Sequence, residues 1–273
     1  MIRVFPRKTK ATPDDGWINK VPDIPRSWVE VDEEIHISCT FTWDIPTAEG
    51  LVKKWEGRGY DVKLGGPAFD DSGGDFVPGR YLKPGYVITS RGCDHECWFC
   101  LTHKREGGIR ELPITDGWIV QDNNLLQCSE KHIRDVFAML ARQPEKAQFT
   151  GGLEAAILKD WHVHELAKLK PKSIYLAYDI PDDYELLCVA AKRFRDAGLL
   201  SSHNVGCYVL IGYPKDTFSA AEHRLNQVLA LGLTPFAMLW TDPVHENWGK
   251  FQKKWVRPAI IYGKKVKAGS ERV

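Results

Sequence analysis

The sequence predicts an α/β protein: a partial (β/α)6 TIM-like barrel with a small N-terminal α/β appendage. Two observations predict this fold. Strand-like apolar runs alternate with amphipathic helical segments through residues 85–240, a spacing typical of crossover units in a parallel sheet. A shorter β-α-β pattern precedes them between residues 35 and 66. Because only six strand-like runs follow residue 85, an incomplete barrel is favoured over one of eight strands.

Residues 1–84 are predicted to hold an irregular lead-in, a short α/β unit and a connector. The lead-in, residues 1–33, is rich in Pro, Asp and Lys and has no clear periodicity. The residues Ile35–Phe41 alternate like a strand, Pro46 opens a helical stretch, and Tyr60–Leu64 predicts a second strand. The connector that follows is rich in glycine, proline and aspartate, which favour turns.

The barrel itself is predicted over residues 85–240. Its strand-like runs are Tyr86–Ser90, Gly117–Gln121, Ala147–Thr150, Ser173–Tyr178, Val205–Ile211 and Pro235–Trp240. The helical segments between them cover residues 129–142, 153–169, 182–197 and 217–231. Gly198 and Gly232 follow the last two segments, at positions where a helix C-cap favours glycine. The tail, residues 241–273, is aromatic and basic, and we expect it to pack on the barrel.

Composition and charge narrow the class of protein. Of the 273 residues, 43% are hydrophobic and 27% are charged, which is ordinary for a globular protein. No run approaches the ~18 apolar residues of a membrane span, and the first residues lack the apolar run of a secretory signal. We therefore expect a cytoplasmic protein without membrane association. The net charge is +1, but both ends are basic, either as solvated tails or as contacts for a phosphate-bearing substrate.

Three of the seven cysteines lie close together, at the carboxyl end of the first predicted barrel strand. Cys93, Cys97 and Cys100 have the spacing Cys-x3-Cys-x2-Cys, and catalytic groups collect at this end of barrel strands. Three thiolates on one loop can each bind one iron of a cubane, which leaves the fourth iron without a protein ligand. The alternative is a zinc site that adds His95 or His103, but no second pair of cysteine ligands is present.

This segment resembles the signature of the radical S-adenosylmethionine superfamily, including the aromatic residue before the last cysteine, Phe99. The resemblance covers residues 86–240. It implies a [4Fe–4S] cluster on the three cysteines and S-adenosylmethionine bound at the open iron. It also implies that one electron, from a reductant such as flavodoxin or ferredoxin, cleaves the cofactor into methionine and a 5′-deoxyadenosyl radical. That radical would abstract hydrogen from a substrate.

The resemblance further implies which residues contact S-adenosylmethionine. Where the family usually carries Gly-Gly-Glu to bind the amino group, the second strand here ends in Asp122, Asn123 and Asn124. On the third strand, Gly151 and Gly152 would allow the backbone to approach a ligand closely. The alternative for these glycines is a plain turn from strand to helix, with Glu154 in the first helical turn.

Two later strands complete the set of implied cofactor residues. Asp179 ends the fourth strand, where the family often places a polar residue that binds the ribose hydroxyls. Asp179 could instead cap the helix that follows. Ile211 and Gly212 end the fifth strand, which resembles the family strand that holds the adenine.

The front unit, residues 35–66, resembles a trimmed cobalamin-binding domain. That domain normally supplies a histidine ligand from an Asp-x-His-x-x-Gly motif, which this chain lacks. We therefore expect a degenerate remnant and no cobalamin.

The substrate is not identified by the sequence. A small molecule or peptide is favoured over nucleic acid, because the basic ends carry few interleaved aromatic residues. A function of a different class remains open: a non-catalytic iron–sulfur or zinc protein that acts as an electron carrier or interaction module. An electron carrier would usually bind all four irons through protein ligands.

Overall fold

The computed structural model describes residues 1–21, 34–71, 76–200, 204–240, 246–256 and 261. In this part of the chain the strands form a four-stranded sheet, a six-stranded sheet and a two-stranded ribbon. The predicted features that lie outside it are most of the tail, the last third of the lead-in, residues 22–33, and residues 72–75 of the connector.

The N-terminal unit is a parallel sheet with one helix. Its elements are β1 (Ile2–Phe5), β2 (Trp17–Ile18), β3 (Ile35–Ser38), α1 (Ile45–Glu56) and β4 (Val62–Gly65). The strand order is β2-β1-β3-β4, and every neighbouring pair is parallel. Trp55 of α1 is fully buried and contacts both Trp17 and Tyr60, with ring centroids 5.9 and 5.1 Å apart.

The strands β1 and β2 correct the prediction that residues 1–33 are irregular. Strand β1 lies inside the sheet, where it pairs with β2 on one side and β3 on the other. Val4 is fully buried there. A four-residue strand is too short to show a period in the sequence, and its partners lie further along the chain, so pairing rather than local pattern creates it.

The rest of the chain holds eight strands and six helices in its described part. The strands are β5 (Tyr86–Val87), β6 (Ser90–Arg91), β7 (Arg110–Glu111), β8 (Ile119–Val120), β9 (Gln148–Phe149), β10 (Ser173–Tyr178), β11 (Val205–Ile211) and β12 (Thr234–Leu239). The helices are α2 (Thr102–Glu106), α3 (Glu130–Ala141), α4 (Asp160–Leu169), α5 (Tyr184–Asp196), α6 (Phe218–Ala230) and α7 (Glu246–Trp255).

Six of these strands form one parallel sheet in the order β12-β11-β10-β9-β8-β5. Neighbouring strands of this sheet also follow one another along the chain, with only β6 and β7 left out. Strand–helix–strand crossovers produce this arrangement. The predicted α/β class is confirmed, and the closure of this sheet into a partial barrel stays a prediction. Strands β6 and β7 pair separately as an antiparallel ribbon.

The helices cover one face of the six-stranded sheet. Along β11, Cys207, Val209 and Ile211 are fully buried in the main hydrophobic core beneath the helices. Tyr208 lies on the opposite face, where its ring stacks on Tyr175 with centroids 4.6 Å apart. The main core also includes Trp255 of α7. None of the helices in the described residues has the length and apolar character that crossing a membrane would require.

Helix α4 begins later than predicted. The sequence predicted a helix over residues 153–169, whereas the helix starts at Asp160. Leu153 instead contacts strand β10, since its N–H donates to the carbonyl of Tyr175 at 2.7 Å. The first turn then forms where the N–H of Lys159 donates to Nδ1 of His162 at 2.9 Å.

The burial of His162 makes it a source of acid sensitivity. Its ring is buried, and burial, with a smaller effect of Lys159, lowers its pKa to about 4 from 6.5. On acidification, the imidazole of His162 therefore takes up a proton at a higher pH in the unfolded chain than in the folded protein. The free energy of unfolding falls as the pH drops from about 6.5 towards 4. Between about pH 7 and pH 5 we expect His162 to contribute a loss of about 2 kcal/mol in the free energy of unfolding.

Urea unfolding of the wild type and His162→Gln at both pH values measures this loss. Glutamine does not titrate, so the variant should lose much less stability on acidification. His164→Gln is the matched control, because His164 lies on the same helix and is exposed. A His162→Gln protein that is as sensitive to acid as the wild type would contradict the assignment.

Candidate active site

The cysteine loop begins in the ribbon formed by β6 and β7. Gly92, directly after β6, has a φ of +85°, and a Cβ at this position would lie 2.1 Å from the carbonyl oxygen of Gly108. Only glycine fits this approach. The N–H of Cys93 then donates to the carbonyl of Gly107 at 3.1 Å, which closes the base of the loop.

The three cysteines are free thiols and are partly exposed on this loop. Burial raises the pKa of Cys97, and the neighbouring thiols of Cys100 and Cys93 raise it further. Among the described residues, no three His, Cys, Asp or Glu side chains converge on a point that could hold a single metal ion. A cubane would bind each thiolate through a different iron, and three thiols on one loop are the kind of ligand that it uses.

Side chains from outside the loop hold its backbone in place. The N–H of Gly92 donates to Oδ1 of Asn123 at 3.0 Å, and the N–H of Asp94 donates to Oε1 of Gln127 at 2.9 Å. Asp94 in turn accepts a hydrogen bond from the N–H of Ile109 at 2.9 Å. Asn123, predicted as a cofactor residue, thus contacts the start of the cysteine loop.

Asp122 lies beneath this loop and is only 2% exposed. Its Oδ1 accepts from the N–H of Thr89 at 2.7 Å, and its Oδ2 accepts from the hydroxyls of Thr89 and Ser90 at 2.5 and 2.8 Å. Burial raises the pKa of Asp122, and these hydrogen bonds oppose the rise. Asp122 therefore anchors the segment that leads into Cys93, and its predicted contact with a cofactor stays a prediction.

Asn124 is a predicted cofactor residue whose side chain contacts one of the cysteines. Its Nδ2 lies 3.7 Å from Sγ of Cys93 and donates to Oε2 of Glu154 at 2.7 Å. The other oxygen of Glu154 lies 2.8 Å from Nε2 of His95, inside the cysteine loop. Oδ1 of Asn124 is buried and has no hydrogen-bond partner among the described residues. This unpaired acceptor suits a ligand that donates hydrogen bonds, such as an ammonium group.

Glu154 was not among the residues predicted to contact the cofactor. The string Gly151-Gly152-Leu153-Glu154 resembles Gly-Gly-Glu with one insertion, but strand order favoured residues 122–124 for the amino group. The alternative interpretation placed Glu154 in the first turn of a helix, whereas the helix that follows begins only at Asp160. In the structure Glu154 contacts both the loop after β8 and the cysteine loop.

The backbone conformation explains why residues 151 and 152 of this string are both glycine. A Cβ on Gly151 would lie 2.0 Å from the carbonyl oxygen of Asp122, so the ends of β8 and β9 can approach only with glycine there. Gly152 has a φ of +97°, a conformation that side chains disfavour. The backbone therefore bends at these glycines, as the alternative interpretation predicted, but no helix follows directly. Ligand contact by these glycines stays a prediction.

Asp179 ends β10 on the side of the sheet that carries the cysteines, close enough for its charge to raise the pKa of Cys97. Its own pKa is raised to about 7, first by burial and then by Asp183, and Arg224 opposes the rise. The capping role considered for Asp179 belongs instead to Asp183, whose Oδ2 accepts from the N–H groups of Asp179 and Ile180 at 3.0 Å. Contact with ribose stays a prediction for Asp179.

Contact with the adenine stays a prediction for Ile211 and Gly212, which lie at the end of β11 and directly after it. The side chain of Ile211 is fully buried in the core between sheet and helices, on the face opposite Tyr208. The alternation of side chains along a strand places Leu210, not Ile211, on the face of Tyr208. Gly212 follows with a φ of +75°, and its N–H donates to Asp216 at 2.9 Å.

An aromatic group links the cysteine loop to the last two strands. Phe99, the predicted aromatic residue, lies 5.3 Å from Trp98 between ring centroids. Trp98 lies 5.5 Å from Tyr213 and 6.1 Å from Trp240, at the ends of β11 and β12, and it is 57% exposed. The loop therefore spans the carboxyl edge of the sheet.

Comparisons with known proteins agree with this architecture. No family model matches the chain, and no curated protein matches it. A solved structure that it resembles is a radical S-adenosylmethionine methyltransferase, TsrM, from Kitasatospora setae, with cobalamin and a [4Fe–4S] cluster bound. The TM-score is 0.58, the match covers 88% of this chain and 75% of that chain, and the two are 12% identical. At this identity the likeness shows a shared α/β fold.

Proposed function

We propose that the chain is a radical S-adenosylmethionine enzyme in which Cys93, Cys97 and Cys100 hold a [4Fe–4S] cluster. The observation that carries the proposal is the position of the cysteine loop. It lies at the carboxyl edge of a parallel sheet, beside the unpaired acceptor of Asn124. The fold shared with TsrM supports the proposal. When bound, the cluster and S-adenosylmethionine would supply a 5′-deoxyadenosyl radical that abstracts hydrogen from the substrate.

In this proposal the residues of the chain bind and orient the cofactor. Asn124 and Glu154 would hold its ammonium group through Oδ1 and the carboxylate, and Asp179 would hold the ribose hydroxyls. Phe99 and the backbone around Gly212 would contact the adenine. His95 holds Glu154 in place through the 2.8 Å contact between them. Asp122 and Asn123 act as positioning residues for the loop.

The six-stranded sheet would curve into a partial barrel with the substrate against its open face. Tyr175, Tyr208 and Phe236 lie on that face, with Tyr208 and Phe236 5.8 Å apart between centroids. Strands β10, β11 and β12 carry no charged residue. This apolar, aromatic face supports a small molecule or peptide over a polyanionic nucleic acid as the substrate.

We retain the proposal that the chain does not use cobalamin. His36 is the histidine of the N-terminal unit, and each of its ring nitrogens already lies within hydrogen-bond distance of another side chain. Nδ1 lies 2.6 Å from the hydroxyl of Tyr81, and Nε2 lies 3.0 Å from Glu34. Cobalamin binding by this chain is worth testing because the structure of TsrM contains cobalamin. A titration of the purified chain with hydroxocobalamin, followed by absorbance, decides the question: retention of the corrinoid after gel filtration would overturn the proposal.

The decisive experiment is anaerobic reconstitution with iron and sulfide, in the reducing conditions of the cytoplasm that we propose for this chain. S-adenosylmethionine and a strong reductant are then added, and 5′-deoxyadenosine is measured by chromatography. The wild type should form product, and Cys97→Ala should form none because the cubane loses one of its three ligands. Cys188→Ala, on α5 outside the cysteine loop, is the matched control and should match the wild type.

Two other results would contradict the proposal. Zinc uptake without iron would indicate a structural metal site. A complete cluster without product, with or without flavodoxin or ferredoxin as the reductant, would favour the non-catalytic electron carrier.

A further inference from the structure

A cavity of about 400 Å³ lies between the two sheets. One side is formed by the carboxyl ends of β3 and β4, from Ser38 to Thr40 and from Lys63 to Pro67. The other side includes Ile88, Arg91 and Gln121 from the six-stranded sheet and its ribbon. Open parallel sheets bind ligands outside the carboxyl ends of their strands, and cavities of this size hold small molecules.

Two arginines face this cavity with hydrogen-bonding capacity to spare. The side chain of Arg91 is 17% exposed and contacts Glu106 through one terminal nitrogen at 3.1 Å. Its Nε is buried and has no partner among the described residues. Arg80 lies with its guanidinium 5.3 Å from the centre of the Tyr81 ring, and no carboxylate of the described residues forms an ion pair with it.

Three of the charged side chains that line the cavity in the described residues are positive, Lys63, Arg80 and Arg91, and one, Asp71, is negative. Nζ of Lys63 lies 2.9 and 3.0 Å from the two oxygens of Glu34, and Asp71 accepts from the N–H of Gly66 at 3.3 Å. Among the described residues the lining therefore carries more positive than negative charge.

The remaining walls are largely apolar, with side chains such as Leu64, Phe76, Val77, Leu82 and Ile88. Guanidinium groups match the planar oxygens of carboxylate and phosphate, and such charge-assisted hydrogen bonds are about twice as strong as neutral ones. A ligand that fits both features has an anionic head on an apolar body.

We infer that this cavity binds a small molecule with a carboxylate or phosphate on an apolar body, and that Arg80 and Arg91 contact the anion. Arg91 stands two residues before Cys93, and Gln121 stands directly before Asp122. The ligand would therefore lie beside the cysteine loop, in the position of a substrate. That this ligand is the substrate rests on the proposed function, whereas its binding to the cavity does not.

Isothermal titration of the reconstituted full chain tests the inference with three probes that share one apolar body: hexyl phosphate, hexanoate and hexanol. Either anion should bind at least about tenfold more tightly than hexanol, because the anion adds charge-assisted hydrogen bonds. The tighter of the two anions identifies the head group. Arg80→Gln and Arg91→Gln should each weaken binding of that anion about tenfold or more.

Lys192→Gln is the matched control, since Lys192 pairs with Asp196 on the surface of α5, away from the cavity. It should bind the anion as the wild type does. Arg80 lies outside the cysteine loop, so a loss of binding in Arg80→Gln with an unchanged iron content cannot be ascribed to a damaged cluster site.

Three results would overturn the inference: no binding of either anion at millimolar concentration, equal binding of hexanol, or unchanged binding in both arginine variants. Displacement of hexyl phosphate by hydroxocobalamin would also overturn it, in favour of a corrinoid site. A chain that binds the anion but forms no 5′-deoxyadenosine would contradict only the proposed function.

Discussion

Replacement of Asp122 by alanine is expected to lower the free energy of unfolding by about 4 kcal/mol and to prevent stable uptake of iron. The carboxylate is the acceptor for the N–H of Thr89 and for the hydroxyls of Thr89 and Ser90. Without it, three buried donors lose their partner, and each such group costs about 1–3 kcal/mol. Because the same segment leads into Cys93, the cysteine loop loses its support.

Urea unfolding of the iron-free chain and the iron content after anaerobic reconstitution measure the two effects. Asp122→Asn keeps an acceptor for the N–H of Thr89, so this variant should lose about half as much free energy of unfolding as Asp122→Ala. Asp135→Ala removes an exposed carboxylate that pairs with Lys131, and it should change stability by less than about 0.5 kcal/mol. An Asp122→Ala protein of wild-type stability and iron content would show that the anchor is dispensable.

Replacement of Asp216 by alanine is expected to cost about 3–5 kcal/mol, because it leaves the buried guanidinium of Arg224 without its partner. The two side chains are 1% and 4% exposed and lie 2.8 Å apart. Asp216 also accepts from the N–H groups of Gly212 and Thr217 at 2.9 Å, so it holds the turn between β11 and α6. Urea unfolding of the variant measures the loss.

A double variant tests whether the loss of stability comes from the buried charge of Arg224 or from the hydrogen bonds that hold the turn. Asp216→Ala with Arg224→Met removes both charges, and we expect it to recover a large part of the stability because an apolar pair often replaces a buried ion pair. Asp196→Ala, which breaks the exposed contact with Lys192, is the surface control and should cost less than about 1 kcal/mol. A double variant less stable than Asp216→Ala would contradict the charge-based account.

Part of the candidate site could be predicted from the sequence because its residues are close along the chain. Cys93, Cys97 and Cys100 occupy one loop, and their spacing alone predicts a shared cluster. The family resemblance implied Asn124 as a cofactor residue; the structure places its Nδ2 3.7 Å from Sγ of Cys93, and the contact with a cofactor stays a prediction.

Other details depended on which way a side chain faces. The side chain of Ile211 lies in the main core, since a shift of one residue along a strand changes the face, and its contact with the adenine stays a prediction. Asp179 was considered as a helix cap, but the cap is Asp183, four residues further on. Strand β1 was missed because only its pairing with β2 and β3 creates it.

The sequence by itself determined the α/β class and the cysteine loop, because apolar periodicity and ligand spacing are properties of neighbouring residues. Only the tertiary structure decided which groups lie beside that loop. Glu154 meets His95 across 59 residues of chain, and Asp122 binds Thr89 across 33. Arg91 and Ser38 face one cavity from different sheets. Such contacts depend on strand register and on how the two sheets meet, and no local pattern in the chain encodes either one.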